Sequence, residues 1–139
     1  ADFTIDEDNK KVSGSLVLFD DIDILVGKQK TAIYDLLNKV LKVGRHFGIS
    51  ICVTNHESCQ GKETKGMLNE SQSITYFPFA GGRSLTYLLK EYLDMSKRQI
   101  KQIKKTHSRW ATICKQFPRC VITEKLIFVL EDSDSDESD

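Results

Sequence analysis

Two segments of the sequence decide the fold, Ser15-Leu-Val-Leu-Phe-Asp-Asp21 and Ile49-Ser-Ile-Cys-Val-Thr-Asn-His56. Each is a short apolar run with polar residues after it, and such a run predicts a strand that is covered on both faces. Between them, from Lys28 to Val43, apolar residues recur at helical spacing, and Gly44 predicts the end of that helix. The apolar positions are Ile33, Leu36, Leu37, Val40 and Leu41. Strand, helix and strand in this order predict a βαβ unit with a parallel sheet.

The rest of the chain supplies further elements of an α/β fold. Ile74–Phe77 is a third strand candidate, and two helices are predicted, over Ser84–Leu93 and from Lys97 onward. In the second helix the apolar spacing continues through Ile100, Ile103, Trp110, Ile113 and Phe117. Residues 120–130 predict a hairpin. The expected architecture is a parallel sheet with flanking helices and a C-terminal hairpin.

Composition sets the domain organisation. The 139 residues carry twenty basic and twenty acidic side chains, and this length suits one domain rather than two with separate cores. We expect a polar leader over residues 1–14, an α/β domain over 15–130 and a disordered acidic tail over 131–139. Without the tail, twenty bases face fourteen acids, a net charge of +6 that predicts a polyanionic partner. A tail that only aids solubility is the alternative.

Other functional classes are excluded by simple features. The apolar runs are too short to span a bilayer, and four acids among the first eight residues argue against a signal peptide. These features predict a soluble, intracellular chain without a membrane partner. The four cysteines form no C-x-x-C pair, so we expect structural thiols, with Cys52 and Cys120 in the core.

Polar residues follow both strands of the predicted parallel pair. In an open parallel sheet, ligands bind beyond the carboxyl ends of the strands, which is where Asp20-Asp21 and Thr54-Asn55-His56 fall. A carboxylate at such a strand tip can hold Mg²⁺ through water, and a second one can orient a water molecule for attack on a phosphate. A strand that ends in acids only because its loop is solvated is the alternative. His46 and His56 lack a clear third ligand, so loop-positioning roles are favoured over metal binding.

The order of these segments resembles the FtsK–HerA group of ATPases, and within it the poxvirus-type genome-packaging ATPases of large DNA viruses. The resemblance rests on Leu16–Asp21, the following helix, Gly44-Arg-His46 and Ile49–Asn55, and it covers roughly residues 15–130. Tyr76-Phe-Pro78, Leu88-Leu-Lys-Glu-Tyr92 and Ser108-Arg-Trp110 are similar to the carboxyl-terminal half of that family. The resemblance implies a partial P-loop-NTPase-like sheet that contains the Walker B half of the domain.

The resemblance also implies roles for individual residues. Asp20 would be the Walker B magnesium ligand, through water, and Asp21 the catalytic carboxylate. Arg45 would be an arginine finger that reaches the γ-phosphate of a neighbouring subunit, and Asn55 would occupy the sensor position that is usually Gln. The complete protein would then use Mg²⁺ and ATP, form a homo-oligomeric ring and move double-stranded DNA. Its place would be the cytoplasm or viral factory of an infected cell, or the virion.

One departure from the family limits these implications. The P-loop motif G-x-x-x-x-G-K-[ST] is absent, because neither Gly27-Lys28 nor Gly61-Lys62 follows a strand with the required glycine spacing. We therefore expect no ATP hydrolysis and no bound cofactor for this chain alone. Two alternatives stay open: a non-catalytic relative that acts as a DNA-binding or assembly module, and an unrelated α/β domain.

The second predicted helix carries a run of cations, which are Lys97, Arg98, Lys101, Lys104 and Lys105. They fall mostly off the apolar stripe and would form an exposed cationic face. In a packaging motor such a face could contact DNA phosphates without sequence preference. An ordinary solvated helix face is the alternative.

Overall fold

The fold is described from a computed structural model, which covers residues 14–56, 61–80 and 82–130. The predicted acidic tail, Cys59 and all of the predicted leader except Gly14 lie outside the described residues. The chain divides into two compact units, residues 1–67 (unit 1) and 68–139 (unit 2). The sequence predicted one domain over residues 15–130. The division follows the sheet structure, because no described strand of one sheet pairs with a strand of the other.

Unit 1 contains the βαβ unit that the sequence predicted. Strand β1, Leu16–Phe19, pairs in parallel with β2, Ser50–Val53, and helix α1, Gly27–Val43, connects them. Short 3-10 turns flank α1 at Ile22–Ile24 and Gly44–Phe47. The chain reverses at Gly48, whose φ of 64° is left-handed, whereas Gly44 continues in a right-handed conformation. The predicted end of the α-helix at Gly44 is confirmed, since α1 ends at Val43 with Gly44 as its C-cap, and the left-handed residue follows only after the 3-10 turn.

The parallel pair is covered on one face only. Phe19, Ile22, Tyr34 and Leu37 form the core between the strands and α1. On the opposite face Leu16 is 70% exposed, Leu18 is 59% exposed and Cys52 is exposed as well. The prediction of strands covered on both faces is wrong for β1 and for β2. Of the two cysteines predicted in the core, Cys52 is exposed and Cys120 is half-buried. No described element of unit 1 packs over this face, which we call the open face (Leu16, Leu18 and Cys52).

Unit 2 is built on an antiparallel sheet of four strands in the order β3-β4-β5-β6. The strands are β3, Ser73–Tyr76; β4, Ala111–Cys114; β5, Cys120–Thr123; and β6, Ile127–Val129. The third predicted strand thus belongs to an antiparallel sheet and does not extend the parallel one. Short links between β4, β5 and β6 permit only antiparallel neighbours, because parallel strands need a long crossover. The predicted C-terminal hairpin is confirmed as β5 and β6.

Three helices complete the described chain. Helix α2 spans Gly61–Glu70, α3 spans Arg83–Tyr87 and continues as a π-helical turn over Leu88–Tyr92, and α4 spans Lys97–Lys105. No helix in the described residues is long and apolar enough to cross a membrane.

Helix α4 is shorter than the apolar spacing predicted. It ends before His107, whose φ of 51° is left-handed, and Ile113 lies in the central strand β4 rather than on a helix. Trp110 and Phe117 are not helical either. The apolar residues of this segment fit a helical spacing of about 3.5, but they also fit the alternation of a strand. In β4 it is the alternation that counts, since Ala111 and Ile113 are both fully buried. Strand pairing with β3 and β5 decides the structure of this segment.

Candidate carboxylate site at the end of the parallel strands

The polar residues that follow β1 and β2 meet at one edge of the parallel pair, as the sequence predicted. Thr54 continues the pairing, since its backbone N–H donates to the carbonyl of Phe19 at 2.9 Å. The Thr54 hydroxyl donates to Asp20 Oδ1 at 2.5 Å, and it lies 3.4 Å from Asp21 Oδ1. One hydroxyl proton serves one acceptor, and the shorter distance assigns it to Asp20. Thr54 therefore connects the Asp20 carboxylate to the neighbouring strand.

The backbone of Asp21 is fixed in an unusual conformation. Its φ of 49° is left-handed, a region that Asp tolerates better than most residues with a Cβ atom. Its N–H donates to the carbonyl oxygen of Thr54 at 3.1 Å and to the hydroxyl of Thr54 at 3.0 Å. These two contacts hold the turn that points the chain away from β1 and into the 3-10 turn. The Asp21 side chain stays partly accessible, at 44% exposed.

Asp23 and His56 also lie at this site, next to Asp21. The sequence analysis did not assign Asp23 to it. The Asp23 side chain is only 3% exposed, and it accepts the backbone N–H of His56 at 2.8 Å. His56 Nδ1 lies 3.7 Å from Asp23 and 3.4 Å from Asp21. The pattern Asp-Asp-Ile-Asp showed three acids, but it carried no sign that the last of them is buried. Burial follows from the 3-10 turn over Ile22–Ile24, which only the structure reveals.

Asn55 follows Thr54 along the chain but does not turn its amide to the carboxylates. Its amide nitrogen lies 3.8 Å from the sulfur of Met67. Its side-chain oxygen, Oδ1, is buried and has no hydrogen-bond partner in the described part of the chain. The sensor role implied for Asn55 stays a prediction, and the amide would have to rotate to fulfil it.

Arg45 lies at the opposite end of the parallel pair. It is exposed in the 3-10 turn that precedes β2, whereas Thr54 follows β2. A strand of four residues spans roughly 13 Å, so the structure does not bring Arg45 to Asp20 and Asp21 of the same chain. This position is compatible with action on a neighbouring subunit, which stays a prediction.

The donor set at the carboxyl edge suits a hard cation. Asp20 offers an exposed carboxylate, and oxygen is the ligand atom that Mg²⁺ prefers. One ligand atom each from Asp21, Asp23 and His56 also lies within 4.8 Å of the other two. Asp20 is not a member of that group of three, and its role as a magnesium ligand stays a prediction. This sequence contains no P-loop motif, which is the element that supplies a backbone cradle for a triphosphate.

The predicted cationic residues lie together on α4 of unit 2. Lys97, Arg98, Lys101, Lys104 and Lys105 are all exposed, while Ile100 and Ile103 of the same helix are buried. Ser96 begins the helix with a capping box: its hydroxyl accepts the N–H of Gln99, and the Gln99 side chain accepts the N–H of Ser96. The helix therefore presents a cationic face to solvent, as expected.

Comparison with known proteins shows that the sequence of this chain is similar to that of a viral protein. It is 38% identical over 118 residues to "Uncharacterized protein V3" of Sputnik virophage, an alignment that covers 83% of this chain and 48% of that protein. The chain thus spans about half the length of this relative. No protein family and no solved structure matches it.

Proposed function

We propose that the chain is the carboxyl-terminal, Walker B part of an ATPase that packages viral DNA. The supporting observation is the meeting of Asp20 and Asp21 with Thr54 at the carboxyl edge of a parallel strand pair. This edge is where nucleotide-hydrolysing α/β domains place their catalytic carboxylates. The similarity to a virophage protein supports a viral origin. The site of action would be the infected cell's cytoplasm, a viral factory or the virion.

The two carboxylates would divide the chemistry. Asp20, exposed and oriented by the Thr54 hydroxyl, would hold Mg²⁺ through water. When bound, the magnesium ion would neutralise charge on the phosphates of ATP. Asp21 would orient the attacking water and accept its proton, because its carboxylate is accessible while its backbone is fixed by two hydrogen bonds.

The remaining residues would act between subunits and on DNA. Arg45 would reach the site of a neighbouring subunit in a homo-oligomeric ring, which agrees with its exposed position at the far end of β2. There its guanidinium would stabilise charge that develops on the transferred phosphate. The cationic face of α4 would contact the phosphates of double-stranded DNA.

The test is ATP hydrolysis by the gene product that contains this chain, measured with and without double-stranded DNA. We expect Asp20→Ala and Asp21→Asn each to lower the turnover rate by about 10²–10⁴-fold. Asp35→Asn, an exposed acid on α1, is the matched control and should leave turnover unchanged. Full turnover by the Asp20→Ala protein would overturn the proposal.

Calorimetry on the chain by itself gives a second measurement. Without a P-loop, we expect no detectable binding of Mg²⁺-ATP. Binding that Asp20→Ala abolishes would show that the nucleotide site survives without this motif.

A non-catalytic assembly module is a second candidate function. The open face favours it, since exposed Leu16 and Leu18 are suited to contact another apolar surface. The double variant Leu16→Asn/Leu18→Asn should then weaken self-association in analytical ultracentrifugation. A gene product that assembles through this face and never hydrolyses ATP would favour this function over the first.

A further inference from the structure

Unit 2 contains a cavity to which, apart from Lys104 of the cationic face, no role has been assigned above. It has a volume of about 340 Å³ and lies between the end of β3, helix α3 and helix α4. Its floor is apolar and consists of the buried side chains of Leu85, Leu89 and Ile100. A volume of this order is typical of pockets that hold a small organic ligand.

The polar side chains that line the cavity are donors of hydrogen bonds. Arg83 and Lys104 both line it, and no acidic residue does. Within residues 14–56, 61–80 and 82–130, neither cation forms an ion pair. Two positive charges at one cavity raise the electrostatic potential there and attract an anion.

Tyr76 adds a neutral donor to the same cavity. Its side chain is almost fully buried, and this burial raises the pKa of the phenol to about 12. Like any phenol, the hydroxyl is protonated at neutral pH, and it can donate a hydrogen bond to an anionic oxygen. Thr86, which also lines the cavity, contributes a second hydroxyl.

We propose that this cavity binds a phosphate group through Arg83, Lys104 and Tyr76. A guanidinium group binds two phosphate oxygens at once, and an ammonium group supplies a compact charge beside it. The apolar floor suits the sugar or base that is attached to the phosphate. Two sources share this chemistry, the backbone of a nucleic acid and a free nucleotide.

The charges of α4 favour nucleic acid as the source. Five of the nine residues in α4 are cationic and none is acidic. Lys97, Lys101 and Lys105 succeed one another at a spacing of four, an arrangement in which like charges destabilise a helix. A polyanion would relieve this repulsion, and Lys104 connects the same helix to the cavity. That the polymer is DNA rests on the proposed packaging function, while the phosphate site does not depend on it.

The experiment is fluorescence anisotropy with a labelled DNA duplex and the complete chain. We expect Arg83→Ala/Lys104→Ala to lower the affinity at least tenfold and to reduce the slope of log K against log salt by about 2. Lys90→Ala, an exposed cation of the same unit that does not line the cavity, is the matched control and should change affinity less than twofold. Tyr76→Phe keeps the packing, so it should weaken binding about threefold without changing the melting temperature.

Competition with ATP and with inorganic phosphate identifies the source. Displacement of DNA by millimolar ATP in the wild type but not in the double variant would assign the site to free nucleotides as well. Wild-type affinity in the double variant, an equal loss in Lys90→Ala, or no binding of DNA, ATP or phosphate to the wild type would each overturn the proposal. DNA affinity is measured without ATP and turnover is measured in a separate assay, so failure of the ATPase proposal would be seen separately.

Discussion

The two units of this chain gather opposite charges by different means. In unit 1, Asp20, Asp21 and Asp23 follow β1 and meet Thr54 and His56, which follow β2, because parallel strands bring their carboxyl ends to one edge. In unit 2 the strands are antiparallel, and the cations come from a helix and from the rim of a cavity. A parallel pair thus concentrates polar groups through its topology. An antiparallel sheet leaves that task to the elements that pack against it.

The units also differ in how completely their sheets are covered. The central strand β4 of unit 2 buries Ala111 and Ile113 fully, whereas β1 of unit 1 leaves Leu16 and Leu18 mostly exposed. The carboxylate site therefore lies at the end of a sheet of which only one face is buried.

The largest expected effect tests this one-sided core. Phe19→Ala removes a buried ring from β1, and we expect it to lower the free energy of unfolding by about 3–5 kcal/mol. Leu18→Ala, the next residue of the same strand, faces solvent and should change it by less than about 0.5 kcal/mol. Urea unfolding followed by circular dichroism measures both. Equal losses would mean that the open face is covered in solution.

A smaller effect concerns the hydroxyl that joins the two strands at the carboxylate site. Thr54→Val keeps the shape of the side chain but removes the hydrogen-bond donor to Asp20 and one of the two acceptors of the Asp21 N–H. We expect a loss of about 1–2 kcal/mol in urea unfolding. Thr31→Val on α1 is the control, because its hydroxyl is exposed and makes only a 3.4 Å contact with a carbonyl. A Thr54→Val protein as stable as this control would show that Thr54 does not hold the site together.

The smallest effect belongs to unit 2 and depends on pH. The backbone N–H and the guanidinium of Arg109 donate to Glu124 and lower the pKa of this carboxyl below its ordinary 4.5. A carboxyl with a lowered pKa stabilises the folded state above pH 4.5, and this contribution is lost as the pH falls through the lowered value. Glu124→Gln should therefore be less stable than the wild type at pH 7, with the difference shrinking on acidification.

Urea unfolding at neutral and acidic pH measures that difference, with Glu91→Gln as an exposed control. The effect should be small, because the Arg109 side chain is 86% exposed and solvent screens the pair. A difference that grows as the pH falls would contradict the assignment.

Local patterns predicted the elements of unit 1 well and those of unit 2 less well. The helical spacing over Ile33–Leu41 and the two apolar runs specified α1, β1 and β2, since each pattern has one dominant period. In unit 2 the residues from Trp110 to Phe117 fit a helical period, but pairing with β3 and β5 makes Ala111–Cys114 a strand. A short apolar segment fits both periods, and only its long-range partners decide between them.

The sequence by itself determined where the polar groups of the carboxylate site fall along the chain, because Asp20-Asp21 and Thr54-Asn55-His56 end two predicted strands. It also determined that the helix over Lys97–Lys105 exposes its cations and buries its isoleucines, since helical periodicity alone places these two sets of residues on different faces. Tertiary structure decided that Asp23 is buried beside His56, that Leu16 and Leu18 are exposed, and that Tyr76, Arg83 and Lys104 share a cavity. Burial and side-chain proximity depend on contacts between residues far apart in the chain, and local sequence patterns do not encode those contacts.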